Sequence, residues 1–157
     1  ARAYNISLEA LSEVDILDLS QVEDIDQLTY RKELVTQFVD TNARLLQFWI
    51  DIEITVESEI TKHGFSVAGS RLATANFIRA AKAGDHVRMR RLDAEYGDSL
   101  LRLLDILKRS WGEWSLRDNQ VMFASSDDAA KYNKLIVNLA KIEEQQVEIL
   151  KSVLKRK

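Results

Sequence analysis

The sequence predicts an all-α protein, an antiparallel bundle of about four helices. Apolar residues recur every three or four positions over most of the 157-residue chain, as they do in amphipathic helices, and proline is absent. The chief breaks in this pattern are glycines, and the joins they mark are short enough to place successive helices side by side. Residues 1–157 are predicted to form one domain, because no linker, internal repeat or low-complexity tract divides them.

One very long helix is predicted at about residues 22–62. Its apolar stripe consists of Ile25, Leu28, Val35, Val39, Leu46, Trp49, Val56 and Ile60. Ser20 and Glu23 have the spacing of a capping box, which predicts the N-cap, and Gly64 suits the C-terminal end. Residues 1–20 are predicted to form a short helix or a loosely ordered lead-in.

Three further helices are predicted after the long one. They cover residues 67–83, residues 86–109, and the segment from Ser126 to the end of the chain. Gly84 and Asp85 are the predicted stop and N-cap between the first two of these helices. Gly97 falls inside a helix at a cost of about 1 kcal/mol relative to alanine, which predicts a close packing point or a small bend.

A short β-hairpin is predicted at about residues 113–124, before the last helix. Four apolar residues alternate around a polar turn at Asp118-Asn119, and they are Trp114, Leu116, Val121 and Phe123. An isolated hairpin is marginal in water, so its apolar face should pack on the helices and close one end of the bundle. The alternative is that Trp111 and Trp114 stay partly exposed and contact a protein partner.

Charge is distributed unevenly along the chain. Residues 1–60 hold 13 acidic and 4 basic side chains, a net of −9, whereas residues 61–120 hold 7 and 11, a net of +4. Packing of acidic on basic segments accounts for this pattern, and nucleic-acid binding would require a larger basic face. Arg79, Arg88 and Arg91, near one helix join, are candidates for binding a small anion. The alternative is that they form weak surface pairs with nearby carboxylates.

Three amides fall within the predicted apolar seams, namely Asn42, Asn76 and Gln146. If these amides are buried, hydrogen bonds between them would fix the register of the helices. The alternative is that they line a small ligand pocket inside the bundle.

No catalytic or metal-binding pattern occurs in the sequence. Cysteine is absent, the two histidines share no metal-ligand spacing, and no Glu-x-x-His pair indicates a di-iron bundle. Nucleophile and phosphate-loop motifs are also absent. We therefore expect a protein that is not an enzyme and carries no metal or cofactor. No apolar run is long enough to span a membrane, so attachment to one would need a segment outside this chain.

The segment from 105 to 150 joins the end of one helix to the turn WSLRDNQVMF and the final helix DDAAKYNKLIVNLAKIEEQQ. This pattern, with Tyr132 and Asn133, resembles the C-terminal part of small helical-bundle lipoproteins of the Gram-negative cell envelope, most of them uncharacterised. The resemblance implies an exported, membrane-tethered bundle in the periplasm or cell envelope rather than the cytoplasm. It supplies no catalytic residues, and the lipid-attachment cysteine of such proteins is absent from this chain.

Three functions are consistent with the sequence. The first is a non-enzymatic binding or structural module of the bacterial cell envelope that acts through a protein partner. The second is a ligand-sensing extracytoplasmic bundle of a receptor, with a small anion held near Arg79 and Arg88. The third is a cytosolic adaptor or a secreted effector-type interaction protein. The sequence sets neither the identity of a partner nor the oligomeric state.

Overall fold

Five α-helices and one hairpin make up the described part of the chain, residues 1–118 and 120–155 of this computed structural model. The elements are α1 (Arg2–Val14), α2 (Ile25–Lys62), α3 (Val67–Ala80), α4 (Ala83–Arg109), β1 (Trp114–Arg117), β2 (Gln120–Phe123) and α5 (Ser126–Lys155). The prediction of an all-α bundle, with one very long helix and a hairpin before the last helix, is confirmed. Asn119, in the predicted hairpin turn, lies outside the described residues.

The long helix α2 has 38 residues and is therefore about 57 Å long. Its N-cap is Asp24, whose side chain accepts a hydrogen bond from the backbone N–H of Gln27. The predicted cap at Ser20 is wrong. Ser20 lies in a short 3-10 turn before the helix, where its backbone N–H and its hydroxyl both donate to Asp18. The short-helix alternative for the lead-in is confirmed by α1.

Four helices, α1, α2, α4 and α5, form an antiparallel bundle. α2 packs most extensively on α4, which also packs on α5, and α1 packs on α2. The direction of α5 follows from two hydrogen bonds to α4. Ser99 of α4 accepts one from Asn138, and Asp93, earlier on α4, accepts one from the later residue Gln146. Among the side chains that the structure describes, the large apolar ones with no solvent exposure are Leu28, Val35, Leu103, Leu104 and Leu107.

Gly97 is a close packing point between α2 and α4, as one of the two sequence alternatives predicted. A Cβ atom at this position would lie 2.5 Å from Cγ2 of Val39 and 3.5 Å from the ring of Phe38. Only a residue without a side chain therefore allows the two helices to approach this closely. Earlier on α4, the backbone of Arg90 accepts a hydrogen bond from Asn42 of α2, and Asp93 accepts from Tyr4 of α1 and Gln146 of α5.

α3 and α4 lie in series along α2. The hydroxyl of Thr61 near the end of α2 donates to that of Ser70 in α3 at 3.1 Å. The side-chain amide of Asn42 near the middle of α2 donates to the backbone carbonyl of Arg90 in α4 at 2.8 Å. One long helix thus supports two shorter ones that run in the opposite direction.

The break between α3 and α4 falls at Ala81 and Lys82. Lys82 has a left-handed backbone with φ 52°, and α4 begins directly after it. The predicted break at Gly84-Asp85 is therefore wrong, since both residues lie in the first turn of α4. The ammonium group of Lys82 donates to the backbone carbonyl of Val153 at 3.0 Å, which joins the break to the end of α5.

The hairpin packs at the end of the bundle where α4 stops and α5 starts. Trp114 pairs with Phe123, and Leu116 pairs with Val121, in the antiparallel register. Trp114, Val121 and Phe123 pack against the main hydrophobic core, while Leu116 is exposed. The prediction that the apolar face of the hairpin covers the helices is confirmed for these three residues.

We name residues 50–80 the arm: the last part of α2, the connection after it, and α3. α3 packs on α2 and makes at most marginal contact with the other described elements. The buried side chains of the arm are Ile52, Ser70 and Thr74. The arm is therefore a two-helix extension with almost no apolar core of its own.

Candidate functional site

The two tryptophans that were predicted to contact a partner differ in their surroundings. The indole N–H of Trp114 donates to the backbone carbonyl of Leu107 at 2.9 Å, and its ring is half-buried. Trp111 is 36% exposed and meets Trp114 edge to face, with 5.6 Å between ring centroids. Trp114 therefore holds the hairpin to α4. A partner contact at these residues stays a prediction, and Trp111 is the one that offers more surface.

Two of the three arginines that were predicted to bind an anion line the same groove, and anion binding there stays a prediction. Arg88 and Arg91 line a groove of about 460 Å³ between α4 and α5, whereas Arg79 on α3 is not among its lining residues. Glu148 of α5 lies in the same groove, and Asp85 is 4.0 Å from the guanidinium of Arg88. Carboxylates thus offset part of the positive charge there, as the surface-pairing alternative expects.

A buried polar cluster that the sequence did not reveal joins three helices of the bundle. Asp93 on α4 is only 4% exposed. Its Oδ2 atom accepts a hydrogen bond from the Tyr4 hydroxyl of α1 at 2.9 Å. The same oxygen forms an ion pair with Nη1 of Arg90, also at 2.9 Å. Its Oδ1 atom accepts from the Gln146 amide of α5 at 2.7 Å. One carboxylate therefore links α1, α4 and α5.

The three seam amides do not bond to one another. Asn42 is fully buried and bonds the backbone of Arg90, and Gln146 bonds Asp93, so each of these two fixes the register of a helix pair. Asn76 is exposed on α3. The carbonyl oxygen of Asn42 and the Nε atom of Arg90 are both buried without a hydrogen-bond partner among the described residues.

Burial governs the ionisation of the polar cluster. It raises the pKa of Asp93 above its usual range, although Arg90 and the hydrogen bonds from Tyr4 and Gln146 act in the opposite direction. Burial, followed by the nearby negative charge of Asp93, raises the pKa of the Tyr4 hydroxyl to about 12. Tyr4 therefore stays protonated as a hydrogen-bond donor over the whole neutral range.

A cleft of about 510 Å³ opens beside this cluster, between α1, α2 and the start of α4. Its charged and aromatic walls are Tyr4, Arg44, Phe48, Trp49, His86 and Arg90. None of the described residues that line it carries a carboxylate side chain. The guanidinium of Arg90 lies over the Tyr4 ring, 4.2 Å from the centroid, and so connects the cleft to the polar cluster.

Two rings in this cleft stack in parallel. The imidazole of His86 lies 4.0 Å from the indole of Trp49 between centroids, with 5° between the ring planes. Burial, followed by the positive charge of Arg90, lowers the pKa of His86 below its usual range, so the ring is neutral at pH 7. Trp49 and His86 thus form an uncharged stacked pair in a cleft that two guanidinium groups also line.

The arm exposes a set of large apolar side chains. They are Ile50, Ile54, Phe65, Val67, Leu72 and Phe77. Ile54 is 74% exposed, and acidic residues such as Asp51 and Glu53 lie next to it on α2. Arg71 and Arg79 lie on the α3 side, where Arg71 approaches Glu57 at 3.4 Å.

The described residues contain neither a metal-ligand group nor a membrane-spanning helix. Among residues 1–118 and 120–155, no three His, Asp or Glu side chains are grouped closely enough to hold a metal ion. None of the helices in that part of the chain combines the length and the hydropathy that a membrane span requires.

Comparison with known proteins gave no match. No protein-family model matches the sequence, and neither a curated protein nor a solved structure matches it.

Proposed function

We propose that the protein is a non-enzymatic protein-binding module whose contact surface is the arm. The observation that carries the proposal is the imbalance between exposed and buried side chains in residues 50–80. Six large apolar side chains are exposed there, whereas only Ile52, Ser70 and Thr74 are buried. Exposed apolar side chains in such excess over buried ones commonly mark an interaction site.

The fold supports this use of the arm because the bundle does not need it as a cover. The core residues are contributed by α1, α2, α4, α5 and the connection after α1, and the apolar side chains of α3 lie outside that core. α3 meets α2 through the small residues Ser70 and Thr74, so its larger side chains are left for another surface. A bound protein would remove them from water, which contributes about 25 cal/mol of favourable free energy per Å² of apolar area buried.

Charge around the arm indicates the chemistry of the partner. Ile54 is the most exposed large apolar residue of α2, and the neighbouring side chains Asp51 and Glu53 are acidic. A partner surface with apolar residues at its centre and lysine or arginine at its rim would complement this face. Rim charges of this kind raise the association rate more than the affinity.

The resemblance of residues 105–150 to envelope lipoproteins supports a place in the bacterial cell envelope for this interaction. The sequence of the whole gene tests this part of the proposal. A lipid-attachment or export signal ahead of residue 1, with the protein in the envelope fraction, is the expected result. Recovery of the intact gene product from the cytosol alone would contradict it.

The test of the arm uses the substitutions Ile54→Asp and Leu72→Asp. Both side chains are exposed, so the free energy of unfolding should change by no more than about 0.5 kcal/mol. A photo-crosslinking residue at position 72, in the source organism, identifies the partner. The affinity for that purified partner is then measured by calorimetry and should fall at least tenfold in each variant, which is about 1.4 kcal/mol.

Val147→Asp is the matched control, because Val147 is an exposed apolar residue on α5, outside the arm. It should bind the partner as the wild type does. Equal affinity in the wild type and both arm variants would overturn the proposal. Sedimentation of the isolated protein provides a second check. A dimer that Leu72→Asp dissociates would show that the arm binds a second copy of the chain instead.

A further inference from the structure

The cleft between α1, α2 and α4 has the composition of a ligand site. Its walls combine the aromatic side chains Tyr4, Phe48 and Trp49 with two arginines, and its volume of about 510 Å³ lies within the usual range for small-molecule pockets. It lies outside the arm, so ligand binding in the cleft does not depend on the proposed function. It is also separate from the groove that Arg88 lines.

The charge of the cleft selects an anion. No aspartate or glutamate lines it, and Arg44 forms no ion pair within residues 1–118 and 120–155. Arg90 pairs with one carboxylate, that of Asp93, and its Nε atom is buried with no hydrogen-bond partner in that part of the chain. Guanidinium groups bind carboxylates through paired, charge-assisted hydrogen bonds, which makes a carboxylate a suitable occupant.

The rings of the cleft select a flat, apolar group next to that anion. Trp49 and His86 already stack on each other, which fixes both ring planes. Phe48 is exposed and meets Trp49 edge to face, with 5.5 Å between centroids. An aromatic ligand can pack on these side chains by the offset or edge-to-face contacts that rings prefer.

We propose that the cleft binds a small aromatic carboxylate, with its carboxylate at Arg44 and Arg90 and its ring against Phe48, Trp49 and His86. A purely inorganic anion lacks the ring contact, and a neutral aromatic molecule lacks the ion pair. Both should therefore bind more weakly than the aromatic acid. Arg90 is held in the cleft wall by its ion pair with Asp93, which in turn accepts a hydrogen bond from Tyr4.

The test is calorimetric titration of the whole chain with 2-naphthoate, compared with inorganic phosphate and with 2-naphthylmethanol. We expect saturable binding of 2-naphthoate, at least about tenfold tighter than that of either comparison compound. Arg44→Gln should weaken the binding of 2-naphthoate about tenfold, because one charge-assisted contact is lost. Arg44 is exposed and forms no ion pair with the described residues, so this variant should fold normally, as circular dichroism will show.

Arg88→Gln is the matched control, since it removes a positive charge from the same helix as Arg90 but outside the cleft. It should leave the affinity for 2-naphthoate unchanged. The proposal is overturned if 2-naphthoate does not saturate, if Arg44→Gln and Arg88→Gln weaken binding equally, or if 2-naphthylmethanol binds as tightly as the acid. Because no substitution lies in the arm, failure here leaves the arm proposal untouched.

Discussion

Single atoms decide how closely α2 and α4 approach each other. At Gly97 the space for a Cβ is already occupied by Cγ2 of Val39, at a distance of 2.5 Å. Gly84 lies in the first turn of the same helix, where an added Cβ would meet no atom within 4 Å. The two glycines of this one helix thus have opposite packing environments.

We expect Gly97→Ala to destabilise the protein and Gly84→Ala to stabilise it slightly. Alanine improves helix propensity by up to about 1 kcal/mol at either site. At Gly97 the added methyl group overpacks the contact with Val39, which costs about 1–3 kcal/mol and should outweigh that gain. Urea unfolding of both variants measures the difference. Equal stabilisation by the two alanines would show that α2 and α4 separate there without cost.

The sequence could not predict the residues of the proposed ligand cleft, because they are far apart along the chain. Trp49 was predicted in an apolar seam and His86 at a helix start, which gives no indication that their rings stack. Arg90 was one basic residue among several, and only the fold shows that it bonds Asp93. Such pairings depend on the rotation of each helix about its axis, which apolar periodicity fixes only coarsely.

At the scale of elements, the attachment of α1 to the bundle depends on the buried hydroxyl of Tyr4. That hydroxyl donates to Asp93, and the Tyr4 ring meets Phe38 with 5.7 Å between centroids. A further polar link joins α1 to α2 through the hydrogen bond between Ser7 and Thr41. Loss of the Tyr4 hydroxyl should therefore weaken the docking of the whole helix.

Tyr4→Phe should lower the free energy of unfolding by about 1–3 kcal/mol at pH 7, because Asp93 loses a donor while buried. The wild type should also lose stability at alkaline pH. The pKa of Tyr4 is raised to about 12 in the folded protein from 10.0, so its contribution is complete below pH 10 and disappears as pH rises to about 12.

Denaturant unfolding between pH 7 and 12 measures this effect as the difference between the wild type and Tyr4→Phe. That difference should shrink as pH rises above 10. Tyr30→Phe is the control for removal of a tyrosine hydroxyl, since Tyr30 is exposed on α2. A difference that stays constant from pH 7 to 12 would contradict the assigned role of Tyr4.

The sequence predicted which elements exist better than it predicted where they begin. Long apolar stripes predicted α2, α3, α4 and α5, and alternation predicted the hairpin, because both are periodic signals. The N-cap of α2 was predicted wrongly because two residues near its start are suitable caps. Ser20 and Asp24 can both cap a helix, and the 3-10 turn at Ser20 leaves the role to Asp24. At Lys82 the backbone is left-handed without a glycine, so no composition signal marks the break.

At the scale of the whole molecule, stability should decrease from the bundle towards the arm. The bundle holds nearly all the buried apolar residues, whereas residues 50–80 hold only Ile52. We expect hydrogen exchange to show amides of α3 opening at least about 2 kcal/mol more easily than those of Leu103 and Leu107. Uniform protection across α3 and α4 would show that the two helices unfold as one unit.

The serial arrangement of α3 and α4 along one helix has a consequence for evolution. Because α3 packs on α2 and hardly on any other described element, residues can be added to or removed from both helices in equal number without disturbing the bundle. Seven residues added to both α2 and α3 would lengthen the arm by about 10 Å. Because seven residues make about two turns, the same faces of α2 and α3 would still pack on each other. The arm can therefore change in length while the bundle, which continues after Lys82, stays the same.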